Sequence, residues 1–307
     1  MNKLNMLDAI TAFDEALAYE VKPQTRRWYG HMLSALADEL GDVPLADVTA
    51  ADLRRWRNVV YEGMGSDNSR NAHLRAVKRL FNWCISEGLI TSNPASALSF
   101  IRVSNREKKA VELADFQAML YVARSRRNWR DVAVILFLLG TGARVSALCG
   151  LQIKNLDLVN GRAWVAKKSR NNDEFYWVYL DGVVIQAIRD YFAYERRDNL
   201  KPDDYVFPGR KGPLHRGSVW QTLRRYGDWA GVSGCVNPHS FRHAFAILRL
   251  QAGEDLVSLK DLMGHSTIKV TAESYGRFQR DQLQAIHQAY SPLAGVAVEI
   301  RSERAVK

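Results

Sequence analysis

Cysteine is scarce in this chain. Cys84, Cys149 and Cys235 are far apart, odd in number and set among apolar residues. They match neither a zinc-ligand spacing nor a disulfide framework, and each reads as a small core residue. Long apolar runs are missing too, since none reaches the roughly 18 residues a membrane span needs. The opening Met1-Asn2-Lys3-Leu4-Asn5-Met6-Leu7 is too short, and too soon followed by acid, for a signal peptide. No internal repeat and no low-complexity segment interrupts the sequence. These absences exclude secreted disulfide scaffolds, membrane proteins and repeat arrays, and predict a soluble cytoplasmic protein with no membrane partner.

Acidic residues run short in one part only. Residues 1–105 carry 12 Lys+Arg and 12 Asp+Glu, so the whole net charge of +10 lies beyond residue 105. Such a surplus suits a polyanion, although a solvated surface gives the same count. A length of 307 residues, 47% hydrophobic, allows two domains with proper cores.

The first hundred residues have helical periodicity. Apolar positions recur over Leu7–Tyr19 and over Thr25–Leu40, and Thr49 with Asp52 forms a capping box for a third helix. A fourth helix is predicted from Asn68 to Glu87, ending at Gly88, with Leu74, Val77, Leu80, Phe81, Cys84 and Ile85 on its apolar face. Its other face carries Asn71, Arg75, Lys78, Arg79 and Asn82, a stripe that can lie along DNA phosphates or merely face water. Asn93-Pro94 stops the helical run, and residues 101–110 read as a polar, basic linker.

A second unit begins at Val111. Helices are expected over Leu113–Arg124 and Trp129–Thr141. A Gly-rich turn then leads into Arg144, which heads a further apolar helix. A buried arginine requires a partner, which is either an anionic ligand or, more plainly, Asp157. Gly161–Ala166 and Phe175–Leu180 are rich in β-formers and flank a polar hairpin tip with Lys167, Lys168 and Arg170. Trp164 and Trp177 read as strand packing. Helices at about Asp181–Arg197 and Gly217–Ala230 follow, with a short Tyr205-Val206-Phe207 segment between them.

Pro238–Gly276 is where the chemistry concentrates. His239 and Arg242 are three apart and share a helix face. His265 follows the turn Met263-Gly264, and Tyr275 stands between Ser274 and Gly276. A guanidinium, two imidazoles and a phenol suit attack on a phosphodiester without a metal or cofactor. Paired guanidinium donors match phosphate geometry and stabilise the charge that develops in the transition state. A phenol of pKa near 10 is a poor nucleophile until its proton is shared, and His239 is the expected partner. His243 reads as structural or supporting, and His73, His215 and His287 as surface or core. Tyr226 and Tyr290 read as packing.

Arg144, Lys168, His239-x-x-Arg242, His265 and Tyr275 resemble, in order and spacing, the signature of the tyrosine recombinases, the integrases of phage type. Residues 81–95, F-N-W-C-I-S-E-G-L-I-T-S-N-P-A, are similar to the end of that family's core-binding domain. The resemblance covers roughly residues 7–290. It implies a mainly α fold with a small β-sheet or hairpin. Residues 1–100 would be a helical core-binding domain, 101–110 a linker, 111–290 a mixed, mostly helical catalytic domain, and 291–307 a C-terminal tail. Arg75, Lys78, Arg79, Lys167 and Arg170 would contact DNA.

By the same resemblance Tyr275 attacks the phosphodiester and forms a 3′-phosphotyrosyl bond. Arg144 and Arg242 hold the non-bridging oxygens, and His265 hydrogen-bonds the phosphate. Lys168, seven residues after Gly161, protonates the leaving 5′-oxygen, with Lys167 as the near alternative. The phosphotyrosyl bond conserves the energy of the broken one, so no ATP and no metal is called for. The expected partners are double-stranded recombination sites, bound by a homotetramer that is a monomer or dimer without DNA, with accessory DNA-bending factors admitted.

Three features depart from the family pattern: Ala147 stands where a carboxylate is usual, Tyr179 replaces a proline before Leu180 in a longer hairpin, and His265 to Tyr275 is one residue longer than in some members. A helix over Gln279–Tyr290, broken by Pro292, would dock on a neighbouring protomer or pack on its own domain. The early start of the core-binding helices leaves no room for a separate arm-binding domain. Alternatives to a mobile-element or prophage recombinase are Xer-like chromosome dimer resolution, a type IB topoisomerase-like enzyme, and a DNA-binding regulator with a decayed site.

Overall fold

Side-chain caps fix where the first helices begin. In the computed structural model, which describes residues 4–103, 109–167, 174–196 and 199–280 with side chains to 276, Asn5 and Asp8 form a reciprocal capping box for α1 (Met6–Glu20). Pro23 occupies the first turn of α2 (Pro23–Leu40), where its missing N–H has no helical partner to lose. Thr49 and Asp52 cap α3 (Ala50–Glu62) reciprocally, as their spacing predicts, and α4 spans Asp67–Ser86. The chain divides into two compact units, Met1–Arg106 and Glu107–Lys307.

The first unit is all helical and closes around Phe13, Leu17, Leu33, Leu36, Trp56, Leu80 and Phe81. Phe13 packs edge-on to Tyr29 with ring centroids 5.6 Å apart. The apolar face of α4 is buried from Leu74 to Cys84, whereas Ile85 is 38% exposed. Its polar stripe is not uniform. Asn71 is buried (6% exposed) and exchanges two hydrogen bonds with the backbone of Ile101, at 2.8 and 2.9 Å, so it anchors the segment after α4. Arg75 and Lys78 lie over the Phe100 ring, and Arg79 pairs with Glu20 on α1 at 3.1 Å. That exposed ion pair adds little stability, which leaves these cations on the surface of the unit.

The second unit is built around α6 (Trp129–Thr141), buried continuously from Asp131 to Leu138. It packs against α5 (Leu113–Ser125), α8 (Gly182–Tyr194) and α10 (Pro238–Gln251). Asp131 is its one charged buried position. It takes the Tyr226 hydroxyl at 3.1 Å and the Arg130 guanidinium at 2.9 Å, tying α6 to α9 (Arg216–Trp229). Burial, then Asp131, pushes the Tyr226 phenol up to about 12.

Short α7 (Val145–Cys149) leads to a three-stranded antiparallel sheet. The predicted hairpin is β2 (Arg162–Ala166) and β3 (Phe175–Tyr179), in register Trp164↔Trp177. A two-residue strand β1 (Leu156–Asp157), too short to give a periodic signal, pairs with β2. Tyr205 makes only an isolated bridge to Gln152, and the paired residues lie further on in β4 (Pro208–Gly209) and β5 (Gly212–Pro213). Trp164 stacks on Phe175 and touches Trp177, on the outer face of the sheet.

The last elements, α10, α11 (Leu256–Leu262) and α12 (Ile268–Arg280), share a small separate core of Phe245, Ala246, Leu250, Leu259, Met263 and Tyr275. The tail from 281 onward, with His287, Tyr290 and the expected helix there, lies outside the described residues, as do 104–108 of the linker. All three cysteines are free, and burial pushes the Cys84 and Cys149 thiols up to about 11.

Among the described residues no helix is long and apolar enough to cross a membrane. Replacing Phe81 by Ala in the first core should cost about 3–5 kcal/mol of stability, and Thr49→Ala about 1 kcal/mol. Urea unfolding of the whole chain, followed by tryptophan fluorescence, reads both.

Candidate active site

Two left-handed glycines create the site. Gly142 ends α6 with φ +60°, and a Cβ there would sit 2.3 Å from the Phe245 ring of α10. Only glycine permits that approach at that conformation. The turn is closed by Thr141, whose hydroxyl donates to Phe137 O at 2.7 Å and accepts from Ala143 N. Gly264 ends α11 with φ +58°, and its Cβ would lie 2.7 Å from the Tyr176 ring of β3. Both turns aim backbone carbonyls inward.

Those carbonyls hold two arginines. Arg242, on α10, is 5% exposed; its Nη1 donates to Gly142 O at 2.5 Å and its Nη2 to Met263 O at 2.6 Å. Arg144, half-buried at the start of α7, donates to Gly264 O at 3.2 Å. The C-terminal carbonyls of a helix form the negative end of its dipole, which favours cations there. Among the described residues no carboxylate lies within ion-pair distance of either guanidinium. Asp157 instead pairs with Arg162, so the plainer sequence reading of Arg144 does not hold. Ala147 is buried. Burial, then the neighbouring Arg144 charge, lowers the Arg242 pKa from its usual value.

His265 completes the cluster. Its Nε2 lies 2.9 Å from Arg242 Nη2 and its Nδ1 2.7 Å from the Thr271 hydroxyl. A guanidinium can only donate. In this contact Nε2 is therefore the acceptor, and the proton of the neutral ring sits on Nδ1.

Tyr275, on α12, is 3% exposed, and its hydroxyl lies 2.5 Å from His243 Nδ1. Burial pushes its pKa up to about 12, while Arg242 and Arg144 pull the other way. Both cations are therefore near enough to stabilise a phenolate, but burial wins in the free protein.

The structure brings Arg144, Arg242, His265 and Tyr275 together. His239 stands exposed on the first turn of α10, its backbone N–H donating to the Asn237 cap at 2.9 Å. His243, one turn along on the same face, meets the tyrosine. An i, i+4 pair shares a face, and that spacing is the signal by which both histidines could have been taken as candidates. Lys167 pairs with Glu174 at 3.4 Å at the hairpin base. It lines a groove of about 680 Å³ with Trp164, Tyr176, Lys260, His265 and Ser266. Lys168 and Arg170 lie outside the described residues. Arg75, Lys78 and Arg79 belong to the first unit. Among the described residues no three His, Cys, Asp or Glu side chains form a metal-ligand group.

Comparison with known proteins bears on the family and the fold. The sequence pattern of the phage integrase family matches residues 108–281, more than half of the chain. Tyrosine recombinase XerC of Yersinia pestis is 27% identical over 295 residues, covering 93% of this chain and 95% of that one. Among solved structures, a lambda integrase tetramer bound to a Holliday junction superposes with a TM-score of 0.73 at 20% identity, over 89% of this chain and 78% of that one. The Tn1549 transposon integrase in complex with a circular intermediate DNA gives 0.72 at 21% identity, over 92% of this chain and 99% of that one.

The chain belongs to the phage integrase family, the tyrosine-type site-specific recombinases, which cleave and rejoin DNA strands.

A tyrosine whose folded pKa is raised from about 10 to about 12 supports the fold fully below about pH 10. That support is lost as the pH rises towards 12. In Tyr275→Phe the fall of stability between about pH 10 and 12 should be shallower than in wild type, read by urea unfolding across that range.

Proposed function

We propose that this recombinase integrates or excises a mobile element or prophage through a 3′-phosphotyrosyl intermediate formed on Tyr275. The observation that carries the proposal is the pair Arg144 and Arg242. Both are fixed by main-chain carbonyls at 2.5–3.2 Å, neither has a carboxylate within ion-pair distance among the described residues, and both act on Tyr275. Fixed cations awaiting an anion suit a phosphodiester better than they suit packing.

In this reading the non-bridging oxygens bind Arg144 and Arg242, and one of them takes over the Arg242 donor now directed at His265. His265 then turns to the phosphate. The Tyr275 oxygen attacks phosphorus, the P–O5′ bond breaks, and the DNA 3′-phosphate is left on the tyrosine. The phenol proton passes to an imidazole of α10. His243 holds the hydroxyl before DNA arrives, and His239, exposed one turn earlier, meets the substrate. The 5′-oxygen leaves as a hydroxyl with a proton from Lys168, or from Lys167 beside it. A 5′-hydroxyl of a second duplex reverses the step, so bond energy is kept throughout.

Arg75, Lys78, Arg79, Lys167 and Arg170 grip the duplex backbone. A homotetramer on two recombination sites is the working assembly, by analogy with the lambda integrase tetramer on a Holliday junction. The setting is the cytoplasm, at the nucleoid when DNA is bound. The likeness to XerC carries the second reading, a Xer-like role in resolving chromosome dimers.

Nicked suicide duplexes carrying candidate sites, incubated in EDTA and run on denaturing gels, test the chemistry. Wild type should form a covalent protein–DNA band. Tyr275→Phe should bind the same DNA and form none, and Arg144→Ala or Arg242→Ala should slow the band by about 100-fold or more. Absence of the band on DNA that wild type demonstrably binds would replace the recombinase by a DNA-binding regulator.

A further inference from the structure

One buried polar atom near the arginine pair takes no part in the cleavage step. The Tyr176 hydroxyl, on β3, is shielded from solvent and has no hydrogen-bond partner among the described residues. Its ring lies against Gly264, the residue whose carbonyl holds Arg144. Its hydroxyl acts on the Arg242 guanidinium, although no hydrogen bond of proper geometry joins them. It also lines the groove that contains Lys167 and His265.

The donor inventory decides what can satisfy this group. A guanidinium has five donors and no acceptor, so Arg242 can give the phenol oxygen a hydrogen bond but can never take its proton. A buried donor without an acceptor is costly and is rare in folded proteins. The acceptor that suits both groups at once is an anionic oxygen lying between them.

We infer that the Tyr176 hydroxyl is a further catalytic donor to the scissile phosphate, sharing one non-bridging oxygen with Arg242. The inference rests on the recombinase reading of the site. It adds a neutral donor from the hairpin to the cation supplied by α10. Charge on that oxygen grows as the tyrosine attacks, and the hydrogen bond strengthens with it. The hydroxyl changes neither the charge of the site nor the course of the reaction; it lowers the barrier.

Tyr176→Phe removes the one atom in question and keeps the ring against Gly264. Covalent-complex formation on a nicked phosphodiester substrate should slow by about 10-fold or more, with DNA binding unchanged. Free Tyr176→Phe protein should melt at or above the wild-type temperature, because an unsatisfied donor is gone. The decisive arm uses substrates with a stereopure methylphosphonate at the scissile position, which replaces one non-bridging oxygen by methyl. With one configuration the difference between wild type and Tyr176→Phe should vanish, and with the other it should persist.

A variant as fast as wild type on the phosphodiester would overturn the inference. So would a defect of equal size on both methylphosphonates, or a lowered melting temperature, since each assigns the hydroxyl to the fold. Failure of wild type itself to form a covalent complex would remove the recombinase reading along with it, so the two failures are told apart in the same gel.

Discussion

The buried Arg242 guanidinium sets the terms for the catalytic unit. It is held by the carbonyls of Gly142 and Met263 and by a ring nitrogen of His265, all neutral acceptors. Removing one charge from water without a counter-charge is expensive. The fold meets that cost with main-chain dipoles, which cannot be withdrawn by titration and do not compete as a carboxylate would for an incoming anion. To aim those dipoles, two helices have to stop at fixed places, and each stop is a left-handed glycine lying under an aromatic ring. A packing constraint and an electrostatic one thus meet at the same residues.

The same cations act on Tyr275. Arg242 and Arg144 favour the ionised form of Tyr275, yet burial outweighs them, so the resting phenol keeps its proton and lies against His243. Opposed influences of this kind leave the free protein with an unreactive tyrosine next to charges that can activate it. Any change that wets the phenol while the arginines stay put tips the balance towards ionisation.

Much of this was legible in the sequence because the governing interactions are local. Capping boxes such as Thr49–Asp52 span three residues, helical periodicity repeats within a turn, and Gly264 announces the end of α11. The ordered set Arg144, Arg242, His265 and Tyr275 could be read because each residue type has a chemical purpose. What could not be read depends on partners distant in the chain. Asn71 looks like part of a solvated stripe until the Ile101 backbone, 30 residues later, occupies its amide. Asp131 is one acid among many until Tyr226 arrives 95 residues on. Sequence spacing puts His239 and His243 on one helix face, and only the position of α12 shows which of them the tyrosine touches. Tyr176 had no signal of its own, because its significance comes from the arginine it faces.

The tyrosine does not belong to the large core of its unit. Among the described residues it packs in a small cluster drawn from α10, α11 with its capping Met263, and α12, while Phe241 and Ala244 of the same α10 belong to the larger one. Local opening free energies follow the apolar surface that a segment buries. Amides of α12 should then exchange with solvent hydrogen through a low-energy excursion of that corner, with those of α6 protected to the level of global unfolding. Met263 belongs to the same corner and, with Gly264, supplies carbonyls to both guanidiniums, so an excursion there loosens the phenol and the arginine cradle together.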